Sequence, residues 1–334
     1  MTHAAASVLA SIPSPPISEF FIGSIPVRIY ALCIIAGIIV AVLMTNHRLT
    51  KRGAEPWVVI DIALIAVPLA IICARIYHVA THPGFYFGPG SNPWNPFEPG
   101  SVWAIWEGGI AIYGSLIGGA IGAWLGCRWT GIRFSAFADA LAPGLLLAQA
   151  MGRFGNWFNQ ELFGLPTDLP WGLEISPDNP AFPPGLPSDT LFHPTFLYEV
   201  IWNTLGVLVL LWAGRRFLLQ WGRLFGLYLI WYSAGRIVWE SIRIDPSEVY
   251  LGLRSNVWAA IIGVILGLII MFVQKRRHPG LEPSPYVPGR EYKGKDGQAV
   301  QSQDTDDFVD VSEPPASEVP DVGEEAATST VTTK

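Results

Sequence analysis

The stretch "GRFGNWFNQE", residues 152–161, gathers side chains that could hold a charged ligand. Arg153 supplies a positive charge, and Asn156 and Asn159 supply neutral donors and acceptors. Glu161 supplies a carboxylate that can orient an arginine or accept a proton. The glycines let backbone approach a ligand closely. Because a helix cap or a loop contact would need fewer charges, this stretch predicts a ligand site.

A second polar set lies on one helical stripe. Tyr232, Arg236, Glu240 and Arg243 are spaced by four, four and three residues, which places them on one face of a helix. An arginine within a membrane span costs about 2.5–3.5 kcal/mol on insertion scales, so Arg236 in particular needs a partner. We expect this face to point into a helix bundle or a wet cavity.

A third set begins another apolar segment, "FHPTFLYEVIWN". Thr195, Glu199 and Asn203 are again four residues apart. A carboxylate at that depth needs a cation to stay charged. We therefore expect Glu199 to pair with an arginine.

The segments that carry these sets indicate an integral membrane protein. Of 334 residues, 51% are hydrophobic and 14% are charged. Seven stretches approach the roughly 20 apolar residues that cross a bilayer as a helix. They are 26–46, 57–80, 108–127, 135–151, 194–213, 224–241 and 256–274. The fourth is short and contains Asp139, Pro143 and Gly144, so a six-span count stays open. The predicted fold class is all-α, a polytopic membrane protein with seven transmembrane helices.

Basic residues set the predicted orientation, because cytoplasmic loops are enriched in Lys and Arg. Basic clusters follow the first, third, fifth and seventh segments: Arg48, Lys51 and Arg52; Arg128 and Arg133; Arg215, Arg216 and Arg223; Lys275, Arg276 and Arg277. The N-terminus is then outside and the C-terminus cytoplasmic. Residues 1–25 lack the basic and apolar regions of a secretion signal, and we expect an external segment there.

The orientation rule leaves six exceptions on the outer side, and all six are arginines: Arg28, Arg75, Arg153, Arg236, Arg243 and Arg254. No lysine lies there. Guanidinium grips phosphate bidentately, whereas ammonium is a compact, strongly hydrated charge. Two interpretations stay open at this point: a phosphate site that faces outward, or Arg–Glu and Arg–backbone pairs that tie helices together.

The glycines and cysteines are interpreted as packing residues, and the acidic tail is assigned no chemical role. Gly114, Gly118, Gly122 and Gly126 line one face of the third segment and predict close helix packing. The cysteines, Cys33, Cys73 and Cys127, have no metal-ligand spacing and are expected to be small buried hydrophobes. Residues 281–334 hold 4 basic and 12 acidic side chains. We expect the acidic tail from residue 278 onward to be disordered in the cytoplasm, behind a catalytic domain at 26–277.

The motifs above make the chain resemble the bacterial phosphatidylglycerol–prolipoprotein diacylglyceryl transferases over roughly residues 20–275. The most specific element is "GRFGNWFNQE", similar to the family's Gly-Arg-x-Gly-Asn-x-x-Asn-x-Glu. The other pieces that match are "VRIYAL", "ARIYHV", "WEGGIAIYGSLIGG", "HPTFLYE" and "YSAGRIVWESIR".

The resemblance implies an enzyme of the bacterial cytoplasmic membrane whose active site faces outward. It would move the diacylglyceryl group of phosphatidylglycerol to the lipobox cysteine of a prolipoprotein, forming a thioether and releasing glycerol-1-phosphate. Residues expected to act in catalysis are Arg153, Arg236, Tyr113, Glu161 and Glu240. Residues expected to bind the lipid are Arg153, Asn156, Tyr30, Glu199, Tyr232 and Arg243.

One departure affects the mechanism. Several family members carry histidine where this chain has Tyr113, which is followed here by Gly114 and Ser115. Either the phenol donates a hydrogen bond to the leaving group, or a carboxylate such as Glu161 or Glu240 removes the thiol proton. His193 is a further candidate, although its place before a proline at a helix start favours a structural role.

Two other functions stay open: a membrane phospholipid acyltransferase and a phospholipid transporter. The first would need a nucleophile or a His-based dyad in the membrane, and no such pair is apparent. The second should show repeated halves and interrupted spans, and no internal repeat is present. We find no metal cluster, glycine-rich phosphate loop or nucleotide motif. The expectation is no cofactor, no metal and no nucleic-acid partner, with membrane lipids and prolipoprotein signal peptides as partners.

Overall fold

The computed structural model describes residues 11–23, 25–88, 92–105 and 108–294. This part of the chain folds into eight helices and three short antiparallel hairpins. The helices are α1 (Ile29–Lys51), α2 (Val58–Thr81), α3 (Pro83–Tyr86), α4 (Ile112–Thr130), α5 (Phe134–Phe158), α6 (Thr195–Phe217), α7 (Arg223–Ile242) and α8 (Ser255–Arg277). The strands are β1 (Glu19–Ile22), β2 (Ile25–Arg28), β3 (Leu173–Glu174), β4 (Leu191–Phe192), β5 (Val249–Tyr250) and β6 (Leu253–Arg254).

Each of the seven predicted segments overlaps one long helix. Five helices in the described part are long and apolar enough to cross a membrane, namely α1, α2, α5, α6 and α8. The glycines of α4 and the charged stripe of α7 make these two helices less apolar. The chain therefore has the helical character of a polytopic membrane protein, while the count of seven crossings stays a prediction.

The fourth segment, which left a six-span count open, is a continuous helix of 25 residues that passes through Pro143, and it is among the five helices that are apolar enough to cross a membrane. Its buried Asp139 has a structural task. The carboxylate accepts backbone N–H groups of Gly222 at 2.8 Å and Phe225 at 2.9 Å. It thus satisfies donors that the first turn of α7 leaves without intrahelical partners.

α5 is the central helix of the bundle. In the most apolar stretch of α5, 56% is buried by other parts of the protein, whereas the corresponding share in α8 is 11%. It packs closely on α1 because both helices use small residues at the crossing. A Cβ on Gly37 would lie 3.0 Å from the carbonyl oxygen of Ala148, and one on Gly144 would lie 3.1 Å from Cα of Ala41. The site residues of α5 therefore stand on a well-fixed helix.

The glycine face of α4 packs against α2, as the spacing predicted. Gly114 and Gly118 meet the backbone of α2 at Cys73 and Leu69, and a Cβ on Gly122 would lie 2.6 Å from Cα of Ala66. Gly126 similarly faces Ile62. The absence of side chains thus lets two backbones approach at distances that any larger residue would prevent.

Residues 159–194 between α5 and α6 form a small domain, here called the head. Phe163, Leu173, Ile175 and Phe192 form its apolar core. The chain's N-terminal segment joins it, because the backbone of Ile12 exchanges hydrogen bonds with residues 172 and 174 at 2.9 Å. The end of the bundle that carries the head is called the head end below.

At the opposite end, residues 278–294 pack onto the helix connections. The prediction of disorder from residue 278 is wrong for this segment, here called the strap. Glu282 is buried and pairs with Arg52 at 2.5 Å. The backbone N–H of Glu55 donates to the hydroxyl of Tyr286 at 2.9 Å, and burial raises the pKa of that tyrosine. The rest of the predicted acidic tail, residues 295–334, lies outside the described residues.

The α2–α4 contact gives a direct test. Replacement of Gly122 by alanine should destabilise the protein by about 1–3 kcal/mol, because the added methyl group would collide with the backbone at Ala66. Gly119→Ala on the same helix is the matched control, since its Cβ would lie 3.7 Å from Cβ of Ala70, an ordinary contact. Thermal unfolding in detergent measures both variants. Equal unfolding temperatures would show that the helices do not meet at this face.

Candidate active site

A buried carboxylate joins three helices at the head end. Glu199, in the first turns of α6, is 3% exposed. Its Oε2 lies 2.7 Å from Nη2 of Arg153 on α5 and 3.7 Å from Nη1 of Arg236 on α7. The expected pairing of Glu199 with an arginine is confirmed, and one carboxylate holds two guanidinium groups side by side.

A second buried carboxylate extends the cluster. Glu240 on α7 is fully buried, and its Oε2 lies 2.7 Å from Nη2 of Arg236 and 3.6 Å from Nη1 of Arg243. Its Oε1 lies 3.0 Å from Nε of Arg254 and accepts the amide N–H of Asn256 at 3.0 Å. Arg236 therefore stands between two carboxylates, and three guanidinium groups surround Glu240.

The stretch at the end of α5 forms the other side of the cluster. Nη1 of Arg153 donates to Oδ1 of Asn156 at 3.2 Å, and Nδ2 of Asn156 donates to Oε1 of Glu161 at 2.7 Å. Asn159 donates to the same carboxylate oxygen at 3.3 Å. The predicted ligand stretch thus forms one chain of hydrogen bonds from Arg153 to Glu161.

The backbone around Glu161 is unusual for its residue types. Gln160 has a φ of 50° and Leu162 a φ of 59°, both in the left-handed region that residues other than glycine rarely adopt. These two residues turn the chain back so that Glu161 faces the amides of α5. Such strain is retained where the surrounding structure fixes it, and functional sites are a frequent place for it.

Tyr30 lies beside this stretch, at the start of α1. Its ring occupies the space that a Cβ on Gly155 would need, and its Cα would lie 3.1 Å from that atom. Gly155 is therefore required for this contact, which brings the tyrosine against α5 between Arg153 and Asn156.

Tyr113, in the first turn of α4, reaches the cluster through Asn256. Its hydroxyl lies 3.4 Å from Oδ1 of Asn256, a long hydrogen bond. The orientation of the Asn256 amide follows from its other neighbour. A carboxylate only accepts, so the amide nitrogen must face Glu240 and the amide oxygen must face the phenol. The phenol proton is then directed at Asn256.

The structure does not bring all the outer arginines together. Arg28 lies on an exposed hairpin, where its Nε is 3.8 Å from Oε2 of Glu19. Arg75 donates to the carbonyl oxygens of residues 101, 102 and 108 at 2.7–2.8 Å, so it ties a loop to α2. His193 lies in the head, 3.2 Å from the hydroxyl of Tyr198. Four of the six arginines form the cluster, and all six make Arg–carboxylate or Arg–backbone contacts. That the cluster binds a phosphate stays a prediction.

Three further residues belong to the cluster and were missed as site residues: Arg254, Asp245 and Asn256. Asp245 lies 2.7 Å from Nε of Arg243 and 3.2 Å from Nη2 of Arg254. Arg254 also donates to the carbonyl of Arg243 at 2.7 Å. The sequence signal for Arg254 and Asn256 was the triplet "RSN" at residues 254–256, a polar start to an otherwise apolar segment.

The remaining predicted residue, Tyr232, lies one turn along α7 from Arg236, with its ring 6.1 Å from that of Tyr228.

Among the described residues, no three His, Cys, Asp or Glu side chains are grouped as a metal site. The cluster therefore offers guanidinium groups, amides, phenols and carboxylates. Groups of this kind bind an anion such as a phosphate and stabilise charge that develops on it.

Fold and site together define a class of protein: a helical membrane protein with an arginine–carboxylate cluster where several helices end. Sequence comparison gives the family. A profile described as prolipoprotein diacylglyceryl transferase matches residues 18–273. A phosphatidylglycerol–prolipoprotein diacylglyceryl transferase of Leifsonia xyli is 62% identical over 305 residues, 90% of this chain and 91% of that protein. One of Streptomyces coelicolor is 44% identical over 93% of this chain and 95% of that protein. The chain belongs to the prolipoprotein diacylglyceryl transferase family.

The role of Asn256 can be tested in combination with Tyr113. Asn256→Leu removes both hydrogen bonds at similar volume, so it should lower kcat for the transferase reaction about tenfold, the effect of one or two net hydrogen bonds. In a Tyr113→Phe background the further loss should be smaller, because one of the two bonds is already absent. Ser255→Ala, the adjacent residue, is the control. Fully additive losses would separate Asn256 from the tyrosine.

Proposed function

We propose that this protein transfers the diacylglyceryl group of phosphatidylglycerol to the cysteine thiol of a prolipoprotein. The relatives named above carry this activity in their names. The observation that supports it most is the pair of guanidinium groups, Arg153 and Arg236, held side by side by Glu199. Each guanidinium has five N–H donors, so each can grip a phosphate oxygen while keeping its carboxylate contact.

The proposed step is a displacement at carbon. The thiolate sulfur attacks the glyceryl carbon that is bonded to the phosphate oxygen, a C–S bond forms, and the C–O bond breaks. The electron pair leaves with the phosphate, and the product is a phosphate monoester of glycerol. Negative charge grows on the phosphate oxygens in the transition state, and fixed guanidinium groups stabilise that charge more than they stabilise the bound lipid.

The thiol proton needs an acceptor, and we propose Glu161 for this role. Glu240 is enclosed by three arginines and an amide, so its oxygens are fully occupied. Glu161 is only partly buried, and its described neighbours at the carboxylate are the neutral amides of Asn156 and Asn159. It is the cluster carboxylate that no arginine is shown to hold.

The membrane arrangement is part of the proposal. We propose seven spans with the N-terminus outside, so that the head end and the cluster face the outer side of the bacterial cytoplasmic membrane. The basic residues in the last turns of α1, α6 and α8 support this orientation. The acceptor is then the lipobox cysteine of a prolipoprotein whose signal peptide lies in the same membrane.

The function and the role of Arg153 can be tested together. Purified protein, phosphatidylglycerol and a lipobox peptide are incubated, and the peptide is weighed by mass spectrometry. Wild-type protein should add one diacylglyceryl unit. Arg153→Ala should reduce the rate by about 10² to 10³, the usual effect of losing one such donor, while the protein stays folded in the membrane.

Arg28→Ala is the matched control, because the side chain of this arginine is exposed and, among the described residues, its ion pair is with Glu19. Alkali should cleave the two acyl esters of the expected product and leave a glyceryl unit bound to sulfur. A gain of mass that alkali removes completely would indicate a thioester and an acyltransferase instead. Normal transfer by Arg153→Ala would remove this residue from the mechanism.

Tyr113 gives a second test. Tyr113→Phe should lower turnover, because the hydroxyl that meets Asn256 is lost. Tyr113→His should be tolerated, since a ring nitrogen can occupy the same place and donate a proton. Initial rates at saturating lipid and peptide measure both variants. Full activity of the phenylalanine variant would make the phenol a packing group.

A further inference from the structure

A second layer of polar side chains lies one helical turn below the ionic cluster. Gln149, Asn203 and Tyr232 each stand four residues from a cluster member on the same helix, namely Arg153, Glu199 and Arg236. On α5, α6 and α7 alike, the step of four residues leads away from the head end. Four residues at 1.5 Å each make this layer ~6 Å deeper in the bundle.

Two amides in this layer carry buried atoms without a hydrogen-bond partner in the described part of the chain. Asn203 is 2% exposed, and its Nδ2 has no acceptor. Oε1 of Gln149 is likewise buried and unpaired, while its Nε2 donates to the hydroxyl of Tyr228 at 3.0 Å. Burying a polar atom without a partner costs free energy, so such atoms need an explanation.

The amide of Gln149 can also present a donor. A tyrosine hydroxyl both donates and accepts, so the amide can turn to receive the Tyr228 hydroxyl through its oxygen. In that orientation the NH₂ group of Gln149 has no partner in the described part of the chain and can donate to a ligand. With this turn, the layer offers two amide donors to one ligand.

Below this layer the bundle is apolar. Leu146, Val207, Leu210 and Leu224 form the core between α5, α6 and α7, and Tyr228 is its polar edge. The cluster, the amides and the apolar core therefore follow one another in depth as charged, neutral polar and apolar side chains.

We propose that Gln149 and Asn203 bind the ester oxygens of the diacylglyceryl group. A glycerophospholipid has the same sequence of groups in depth: a charged phosphate, then neutral ester carbonyls that only accept hydrogen bonds, then acyl chains. Unpaired amide donors beneath phosphate-binding arginines match the esters. This inference rests on the proposed function, which assigns residues to the phosphate of the lipid, and it adds residues for the ester groups.

The test compares two lipids. Diester phosphatidylglycerol has the carbonyl oxygens, and diether phosphatidylglycerol lacks them but has the same headgroup and chain length. Wild-type protein should have a kcat/KM roughly three- to tenfold higher for the diester lipid, the effect of one or two net hydrogen bonds. Asn203→Leu should have a kcat/KM for the diester lipid that is lower by this factor, whereas its kcat/KM for the diether lipid should equal that of wild-type protein.

Gln274→Leu is the matched control. It also has a buried, unpaired amide oxygen, but lies at the other end of the bundle, so it should alter neither rate. Equal losses by Asn203→Leu on both lipids would overturn the proposal, and so would a wild-type protein with no preference between them. Gln149→Met, measured in the same way, provides the answer if Asn203→Leu does not fold. Should wild-type protein transfer neither lipid, the proposed function itself fails and this inference falls with it.

Discussion

The structure depends on the burial of two carboxylates, Glu199 and Glu240, among apolar helices. An unpaired charge in such a place is very costly, whereas a pair with good geometry is tolerated. Each carboxylate therefore fixes the helices that supply its partners. Glu199 joins α5, α6 and α7, and Glu240 joins α7 to the start of α8. The same contacts that hold the helices together place four arginines in one region.

Close packing around α5 gives these contacts their precision. Glycines on α1 and α5 bring the two backbones together, and Gly155 lets the ring of Tyr30 lie directly on α5. A guanidinium aligned in advance stabilises a transition state without reorganising at the moment of reaction. The residues with positive φ on either side of Glu161 likewise fix its position, where its carboxylate accepts hydrogen bonds from the amides of Asn156 and Asn159.

Sequence reasoning predicted the parts of this arrangement that follow from periodicity and burial. The helices, the glycine face of α4 and the pairing of Glu199 with an arginine all come from spacing and from the cost of buried charge. The membership of the cluster was less predictable. Arg75 and Arg153 have the same charge and similar depth, and only the positions of the carbonyl groups of residues 101, 102 and 108 show that Arg75 binds backbone oxygens. For Asn256 the polar triplet at residues 254–256 was a weak signal, because its role depends on Glu240 and Tyr113 from distant parts of the chain.

The order within residues 278–294 was missed for a related reason. This segment is polar, and its composition is typical of a chain that cannot form a core alone. It is ordered by contacts that other elements provide, such as Arg52 for Glu282 and the connection after α1 for Tyr286. Composition indicates what a segment can bury by itself, whereas these contacts come from other parts of the chain.

The strap contacts all three helix connections at its end of the bundle: Arg52 after α1, Arg133 and Ser135 before and within α5, and Gln220 before α7. It is also among the later parts of the chain to leave the ribosome. The three connections consequently form during translation without the segment that later fastens them. All eight helices precede the strap in the chain, so each of them is synthesised before the segment that fastens their connections.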